Sequence, residues 1–105
     1  MLHASAASAA SIDRFIDALW LEDGLSPNTL AAYRRDLSLF AAWLNAEGGP
    51  PLDSITENQL QRYFAARHAS TRATSANRRL TVFKRYFRWA LRERLIDQDP
   101  TLKLQ

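Results

Sequence analysis

The sequence predicts an all-α domain built from four helices. Apolar residues recur three and four positions apart in four separate stretches, which is the pattern of helices with one buried face. Gly and Pro residues separate several of these stretches, and we find no convincing run of alternating apolar and polar residues that would indicate a strand. Unequal helix lengths and a long loop near residues 48–55 favour an irregular, orthogonal helical array over a symmetric bundle.

The first and second predicted helices are separated by a glycine. Helix one is predicted from Ser11, its N-cap, to Asp23, and Gly24 ends it. Helix two begins with Ser26 as N-cap and Pro27 at the first helical position. Its apolar stripe consists of Leu30, Tyr33, Leu37, Phe40 and Leu44, and Gly and Pro residues at 48–51 end it.

The third and fourth predicted helices are joined by a Ser/Thr-rich loop at 69–75. Helix three begins after Thr56, which has capping-box spacing to Gln59, and it ends near His68. Helix four is predicted from Ser75 to Leu95, before the helix-breaking Asp99–Pro100 pair. Its predicted buried stripe consists of Leu80, Phe83, Phe87 and Leu91, with Trp89 and Ala90 near the edge.

The remainder of the chain sets the expected domain limits. Residues 1–10 are mostly Ala and Ser without a charged segment, so they predict a disordered tail and not a signal peptide. We expect one helical domain over 11–100 and the start of a linker over 101–105. The sequence has no Cys and no apolar run long enough to span a membrane, which fits a cytoplasmic location.

Charge is distributed unevenly along the chain. Residues 62–94 contain ten Lys or Arg and one acidic residue, a net charge of +9, whereas the rest of the chain carries −6. On helix four, spacings of three and four residues define a basic stripe of Arg78, Thr81, Arg85, Arg88 and Arg92. Solvated helix faces normally mix charge signs, so a stripe of one sign favours a polyanionic partner such as nucleic acid.

A second candidate contact lies at the start of helix two. Ser26, Asn28 and Thr29 stand where backbone N–H groups point outward, and such ends attract phosphate. An ordinary N-cap explains the same residues. Arg34 and Arg35 follow one to two turns later, and acidic neighbours such as Asp36 are possible partners for either.

Catalytic and metal chemistry have no support in the residue pattern. His3 and His68 are isolated, and without Cys or clustered carboxylates they predict no metal site. Three Gly residues provide no phosphate-binding loop, and nothing in the sequence places Ser, Asp and His as a triad. We therefore expect neither cofactor nor metal.

Several segments resemble the N-terminal core-binding domain of tyrosine site-specific recombinases, the phage integrase family. They are LSPNTLAAYRRDL at 25–37, the preceding DALWL at 17–21, ATSANRRL at 73–80 and DQDP at 97–100. The resemblance spans residues 11–104 and is strongest to the branch that resolves chromosome dimers. It implies a four-helix, SAM-like orthogonal bundle that forms half of a clamp around the recombination site.

The resemblance also implies DNA-contacting residues on two helices. On helix two these are Asn28, Thr29, Tyr33 and Arg35. On helix four they are Arg78, Thr81, Lys84, Arg85 and Arg88, and Arg78 occupies a position where the family has Arg. Arg79, Val82 and Phe83 depart from the family pattern.

The family's catalytic residues lie in a second domain: an Arg, a His-x-x-Arg element and a Tyr nucleophile. This chain contains no His-x-x-Arg, so the resemblance implies DNA binding without cleavage. For the full-length protein it implies a related recombinase subunit in a tetrameric synaptic complex and a DNA translocase. Alternatives remain at this stage: an integrase of a mobile element, a helical module that docks an acidic protein, or a binder of anionic membrane surfaces.

Overall fold

The computed structural model describes residues 3–104, and every regular element within that range is helical. The predicted all-α class is therefore confirmed. The chain divides into two compact units, Met1–Leu52 and Asp53–Gln105. A short 3₁₀ turn, Leu52–Ser54, lies at the boundary between the units.

The first unit contains two main helices that pack on each other. Helix α1 spans Ala6–Ala18 and continues into a π-helical segment, Leu19–Asp23, which Gly24 ends with a left-handed backbone at φ 61°. Helix α2 spans Pro27–Ala46. The core of this unit is formed by Ile12, Phe15, Ile16, Leu19, Leu30, Leu37, Phe40, Leu44 and Leu52.

The predicted disordered tail is wrong for residues 6–10, which form the first turns of α1. Ser5 caps the helix by accepting a hydrogen bond from the Ser8 backbone N–H at 3.2 Å. Ser8 is itself buried, and its Oγ accepts the Leu52 backbone N–H at 3.0 Å. A buried N–H needs such an acceptor, so Ser8 ties the start of α1 to the end of the unit. Met1 and Leu2 lie outside the described residues.

Helix α2 follows the sequence prediction closely. Ser26 is the N-cap, its Oγ accepts the Thr29 N–H at 3.2 Å, and Pro27 stands at the first helical position. All five residues of the predicted apolar stripe are buried. The helix ends because Gly48 adopts φ 72°, and the Gly49 N–H then reaches the Leu44 carbonyl at 2.8 Å.

The second unit is built on helices α3, Glu57–Arg67, and α4, Ala73–Arg92, with a 3₁₀ turn, His68–Ser70, between them. The predicted capping box of Thr56 and Gln59 is confirmed at the start of α3. The core consists of Leu60, Tyr63, Val82, Phe83, Tyr86, Phe87, Trp89 and Ala90. The Tyr86 hydroxyl donates to Asp53 Oδ1 at 2.6 Å, which satisfies the polar end of a buried ring.

Helix α4 differs from the prediction in its start and in its buried face. It begins at Ala73, two residues before the predicted Ser75, so half of the expected loop is helical. Leu80 is half-buried and Leu91 is 41% exposed, so the buried stripe predicted through these two residues is wrong at both ends. The buried face is rotated toward Val82, Tyr86 and Trp89, and it includes Arg79 at 7% exposure.

The predicted linker from residue 101 is also corrected, as far as Leu104. Thr101 is 2% exposed, and its backbone N–H and hydroxyl both donate to Asp99 Oδ1, at 2.8 and 2.6 Å. Lys84 Nζ donates to the Leu104 carbonyl at 2.5 Å. The Lys84 bond and the burial of Thr101 attach residues 99–104 to the rest of the second unit, so the segment is folded structure.

Candidate nucleic-acid interface

Helix α4 carries a continuous polar surface opposite its buried face. Seen down the helix axis at 100° per residue, Thr81, Lys84, Arg88 and Arg92 fall on the side away from Val82 and Tyr86. Thr81, Arg88 and Arg92 are exposed, and Lys84 is half-buried. Helix α4 contains no acidic residue, so these positive charges share one face without an acid on the same helix. We call this set, together with Arg78 and Arg85, the α4 basic face.

Arg78 and Arg85 lie at the edge of the α4 basic face, nearest the core. Both are half-buried. Arg78 is one turn from Thr81 and Val82, and Arg85 is one turn from Thr81 and Trp89. The two arginines therefore broaden the basic face toward the core.

Lys84 differs from the arginines of the face, because its ammonium bonds to the Leu104 carbonyl within the same unit. An ammonium has three donors, so one bond leaves capacity for a phosphate oxygen. Arg92 contacts the neighbouring carboxylate of Glu93 at 3.4 Å in an exposed pair, which contributes little to stability. Arg88 is exposed, and Lys84, Arg85 and Arg92 stand three and four residues from it, so it lies at the centre of the cationic residues of the helix.

The second candidate contact, at the start of α2, is largely engaged by its own cap. Ser26 Oγ accepts the Thr29 N–H and donates to Thr29 Oγ1 at 3.0 Å, so the Ser26–Thr29 pair satisfies itself. Asn28 and Arg35 are exposed. Two of the four predicted residues on this helix are thus available at the surface without rearrangement.

Tyr33 is a correction to the predicted DNA-contacting set. It is 8% exposed and belongs to the core of the first unit. The sequence placed Tyr33 both in the apolar stripe of helix two and, through the resemblance, among the DNA contacts. Its burial agrees with the apolar stripe.

Arg34 forms a specific pair within the first unit. Its Nη1 bonds to Asp13 Oδ1 on α1, although the two residues are 21 positions apart. Asp36, the neighbour considered from sequence, is instead buried at 5% exposure. Both Arg34 and Arg35 are exposed, and Arg34 is directed toward α1 by its pair with Asp13.

The two units carry opposite net charge. The first unit contains three basic and six acidic side chains, a net charge of −3, and the second contains eleven basic and five acidic ones, a net charge of +6. The polarity predicted from the sequence therefore coincides with the structural division at residue 52. A polyanion is attracted chiefly by the second unit.

Two negative findings bound the chemistry of the part of the chain that the structure describes. It contains no group of three His, Cys, Asp or Glu side chains placed to hold a metal ion. None of its helices is long and apolar enough to cross a membrane.

One buried cation was not assigned a role from the sequence. Arg79 lies among core residues, its guanidinium carbon is 5.7 Å from the centre of the Tyr63 ring, and its Nη2 donates to Thr71 Oγ1 at 3.2 Å. The sequence offered one signal, namely that Arg79 departs from the family pattern. A charged residue next to another Arg on a basic helix gives no indication that it is buried.

The structure belongs to the class of small all-helical proteins that have one strongly basic helix face. Its sequence is matched over residues 12–94 by the family model described as the phage integrase, N-terminal SAM-like domain. The chain belongs to this family, as its sequence resemblance predicted.

Relatives of this chain carry the name tyrosine recombinase XerD. The protein of that name from Ralstonia nicotianae is 61% identical over 94 residues, which cover 90% of this chain and 30% of the relative. Those from Pseudomonas aeruginosa and Proteus mirabilis are 44% and 42% identical over 94 residues, covering 89% of this chain and 31% and 30% of the relatives. The chain thus spans about a third of the length of the relatives it matches.

Proposed function

We propose that this chain is the DNA-binding N-terminal domain of a XerD-type tyrosine recombinase, which clamps the recombination site during site-specific recombination. The α4 basic face carries the proposal. It combines Arg78, Arg85, Arg88 and Arg92 with Lys84 on a helix without acidic residues. The kinship with XerD proteins and the family match support the same proposal.

Phosphate neutralisation is the physical role proposed for the α4 basic face. Each phosphate paired with Arg or Lys releases condensed counterions from the duplex, and the entropy of release drives binding. Arg is suited to this task because its planar guanidinium donates two parallel hydrogen bonds to phosphate oxygens or to a guanine edge. Thr81, exposed within the face, adds a hydroxyl for a phosphate or base contact.

A smaller contribution is proposed for the start of α2. Asn28 and Arg35 are exposed there, and Thr29 joins them through the part of its hydroxyl that the cap leaves accessible. The surrounding unit has a net negative charge, so this contact positions the duplex more than it attracts it. Tyr33 is excluded because it is buried.

For the whole protein we propose strand exchange at a chromosomal site and resolution of chromosome dimers in the cytoplasm. A related recombinase subunit in a tetrameric synaptic complex and a DNA translocase are the proposed partners. The chain described here is proposed to bind DNA without cutting it, because it contains no His-x-x-Arg element. Tyr63 and Tyr86 are core residues, which makes them unsuitable as nucleophiles.

Fluorescence anisotropy with a labelled duplex of about 30 base pairs tests the proposal. We expect the logarithm of the affinity to fall with the logarithm of salt concentration with a slope equivalent to about four to six released counterions. Arg85→Gln and Arg88→Gln should each weaken binding and reduce the slope by about one. Circular dichroism should be unchanged in both variants.

Arg14→Gln is the matched control, because it removes one exposed charge from α1 in the other unit. If it weakens binding as much as Arg88→Gln does, attraction is nonspecific and the α4 basic face has no special role. Absence of binding at low salt would overturn DNA binding by this chain and favour docking to an acidic protein. Cosedimentation with anionic vesicles would favour a membrane surface, although Trp89 is buried and unavailable for insertion.

A further inference from the structure

A cavity of about 380 Å³ opens in the second unit beside the first turn of α4. It lies apart from the α4 basic face, and none of the DNA contacts proposed above lines it. Its lining residues are Phe64, His68, Thr71, Ala73, Ala76, Asn77 and Arg79. The lining contains cationic and polar groups without any carboxylate.

Arg79 is the central feature of this cavity. Only 7% of the Arg79 surface is exposed, and the residue lines the cavity. A guanidinium has five N–H donors, and among the described residues its one hydrogen-bond acceptor is Thr71 Oγ1. Within residues 3–104 Arg79 forms no ion pair. Buried charges are normally paired, so an anion in this cavity would compensate the charge of Arg79.

A second guanidinium close to Arg79 has the same deficit. Arg67 Nε is fully buried and has no hydrogen-bond partner in the described part of the chain. The Arg67 and Arg79 guanidinium carbons lie 5.9 and 5.7 Å from the centre of the same Tyr63 ring. They are also linked through Thr71, whose hydroxyl accepts from Arg79 and donates to the Arg67 carbonyl at 2.6 Å.

The backbone adds further donors at the same place. The N-cap position of α4 is Arg72, which provides no side-chain hydrogen bond to the first turn, and that turn contains no acidic residue. Ala73, the first residue of α4, lines the cavity with an N–H that has no intrahelical acceptor, at the positive end of the helix dipole, whereas the Ala76 N–H bonds to the Arg72 carbonyl. The nearest acidic residues in sequence are Glu57 and Glu93, which leaves the whole segment 58–92 without a carboxylate.

We propose that this cavity is a phosphate-binding site, separate from the α4 basic face. Arg79 and the first-turn amides of α4 donate to the phosphate oxygens, while Thr71 and Asn77 offer polar contacts at the rim. The phosphate is either the free ion or a phosphodiester of the bound duplex, and both have the same recognition chemistry. Binding of the free ion does not depend on the proposed DNA-binding function.

The test is an NMR titration of the 105-residue chain with inorganic phosphate, against sodium chloride at matched ionic strength. We expect saturable shifts of the Thr74 and Ser75 amides with phosphate and none with chloride. Arg79→Leu should weaken phosphate binding by about tenfold or more, since a charge-assisted hydrogen bond is lost. Replacing a buried unpaired charge by an apolar residue is expected to preserve the fold.

A second variant keeps the test decisive if Arg79→Leu unfolds. Asn77→Asp places a carboxylate at an exposed position of the rim, where it should repel phosphate without disturbing the core. Arg62→Gln is the control, because it removes one exposed charge from α3 outside the cavity lining. We expect phosphate affinity to be retained in Arg62→Gln.

The source of the phosphate is decided by adding duplex DNA. If a duplex phosphodiester occupies the cavity, the duplex shifts the same amides, displaces inorganic phosphate, and binds Arg79→Leu less tightly. If the site serves the free ion, Arg79→Leu loses phosphate and keeps its duplex affinity. The proposal is overturned if phosphate causes no shift beyond that of chloride, or if both Arg79→Leu and Asn77→Asp bind phosphate like the unmodified chain.

Discussion

Helices α2 and α4 are a matched pair, one in each unit, and both are 20 residues long. Their N-cap residues have nearly the same backbone: φ −65° and ψ 154° for Ser26, and φ −68° and ψ 150° for Arg72. Ser26 caps its helix through its side chain, whereas Arg72 does not. The same backbone geometry therefore produces a closed helix end in α2 and an open, positively charged one in α4.

The C-terminal ends of the two helices repeat this relation. The Gly49 N–H reaches the Leu44 carbonyl at 2.8 Å, and the Leu95 N–H reaches the Ala90 carbonyl at 2.9 Å. The left-handed residue before each bond is Gly48 in α2 and Arg94 in α4, with φ 72° and 62°. A left-handed non-glycine residue costs about 1 kcal/mol, so α4 again has the less stable sequence for the same turn.

The two helices also bury one charged residue each, of opposite sign: Asp36 in α2 and Arg79 in α4. The other charged residues of α2 are Arg34 and Arg35, and Arg34 pairs with Asp13 on α1, while α4 carries cations alone. The comparison shows that α2 uses its polar residues to stabilise its own unit. Helix α4 has an N-cap without a side-chain hydrogen bond and carries basic residues without an acidic one, which is the composition of an anion-binding surface.

The largest expected changes in the free energy of unfolding come from the buried face of each helix. Phe40 and Phe87 are fully buried, so Phe40→Ala and Phe87→Ala should each lower the free energy of unfolding by about 3–5 kcal/mol. Urea unfolding followed by circular dichroism measures this loss. A much smaller loss in only one of the two would mean that the corresponding unit is loosely packed.

Leu39 and Leu91 are the matched controls, at 44% and 41% exposure on α2 and α4. Leu39→Ala and Leu91→Ala should cost about 1 kcal/mol or less, because little apolar surface is lost from the interior. Leu91 also tests the structure against the sequence, which placed this residue in the buried stripe. A cost near that of Phe87→Ala would favour the sequence prediction.

The sequence predicted α2 in full because every local signal agreed there: cap, first-position Pro, apolar stripe and terminal Gly. It failed on α4 because two stripes satisfied the same spacing. Phe83 and Phe87 are buried as predicted, but the buried face extends from them toward Val82, Tyr86 and Trp89 instead of toward Leu80 and Leu91. Predicting the buried face correctly required the knowledge that Arg79 lies on it. Helical periodicity instead assigns a charged residue to the exposed face.

The start of α1 and the surface sites show a second limit. Residues 6–10 contain only Ala and Ser, which give no apolar periodicity, and the burial of Ser8 arises from its bond to the distant Leu52 N–H. Of the predicted DNA-contacting residues, Tyr33 is removed by burial, and Lys84 bonds to the Leu104 carbonyl. The burial of Tyr33 and the bond of Lys84 depend on tertiary packing and on contacts between distant residues. No local sequence pattern encodes these.

Exchange of the N-caps gives an effect of intermediate size. Ser26→Ala should destabilise the chain by about 1 kcal/mol, because the Thr29 N–H loses its acceptor. Arg72→Ser should stabilise it by up to about 1 kcal/mol, because a Ser with the Ser26 backbone geometry reaches the Ser75 N–H. Thermal unfolding measures both changes. If Arg72→Ser brings no gain, the first turn of α4 already has an acceptor, and the contrast between the helix ends disappears.

The smallest expected effects are changes in stability of opposite sign when one charge is removed from α2 or from α4. Arg34→Gln breaks the pair with Asp13 and should destabilise the chain by up to about 1 kcal/mol at low salt. Arg88→Gln should stabilise it by a few tenths of a kcal/mol per relieved pair, roughly, since Lys84, Arg85 and Arg92 stand three and four residues away.

Urea unfolding at about 0.02 M and about 0.5 M salt checks both signs, because screening at the higher concentration should bring the two variants toward the unmodified chain. Glu57→Gln serves as a reference, since it changes charge by one unit outside α4. If Arg88→Gln destabilises the chain at low salt, Arg88 holds the fold together as Arg34 does. The α4 basic face would then be a structural surface, and its repulsive energy would not be available for release on binding a polyanion.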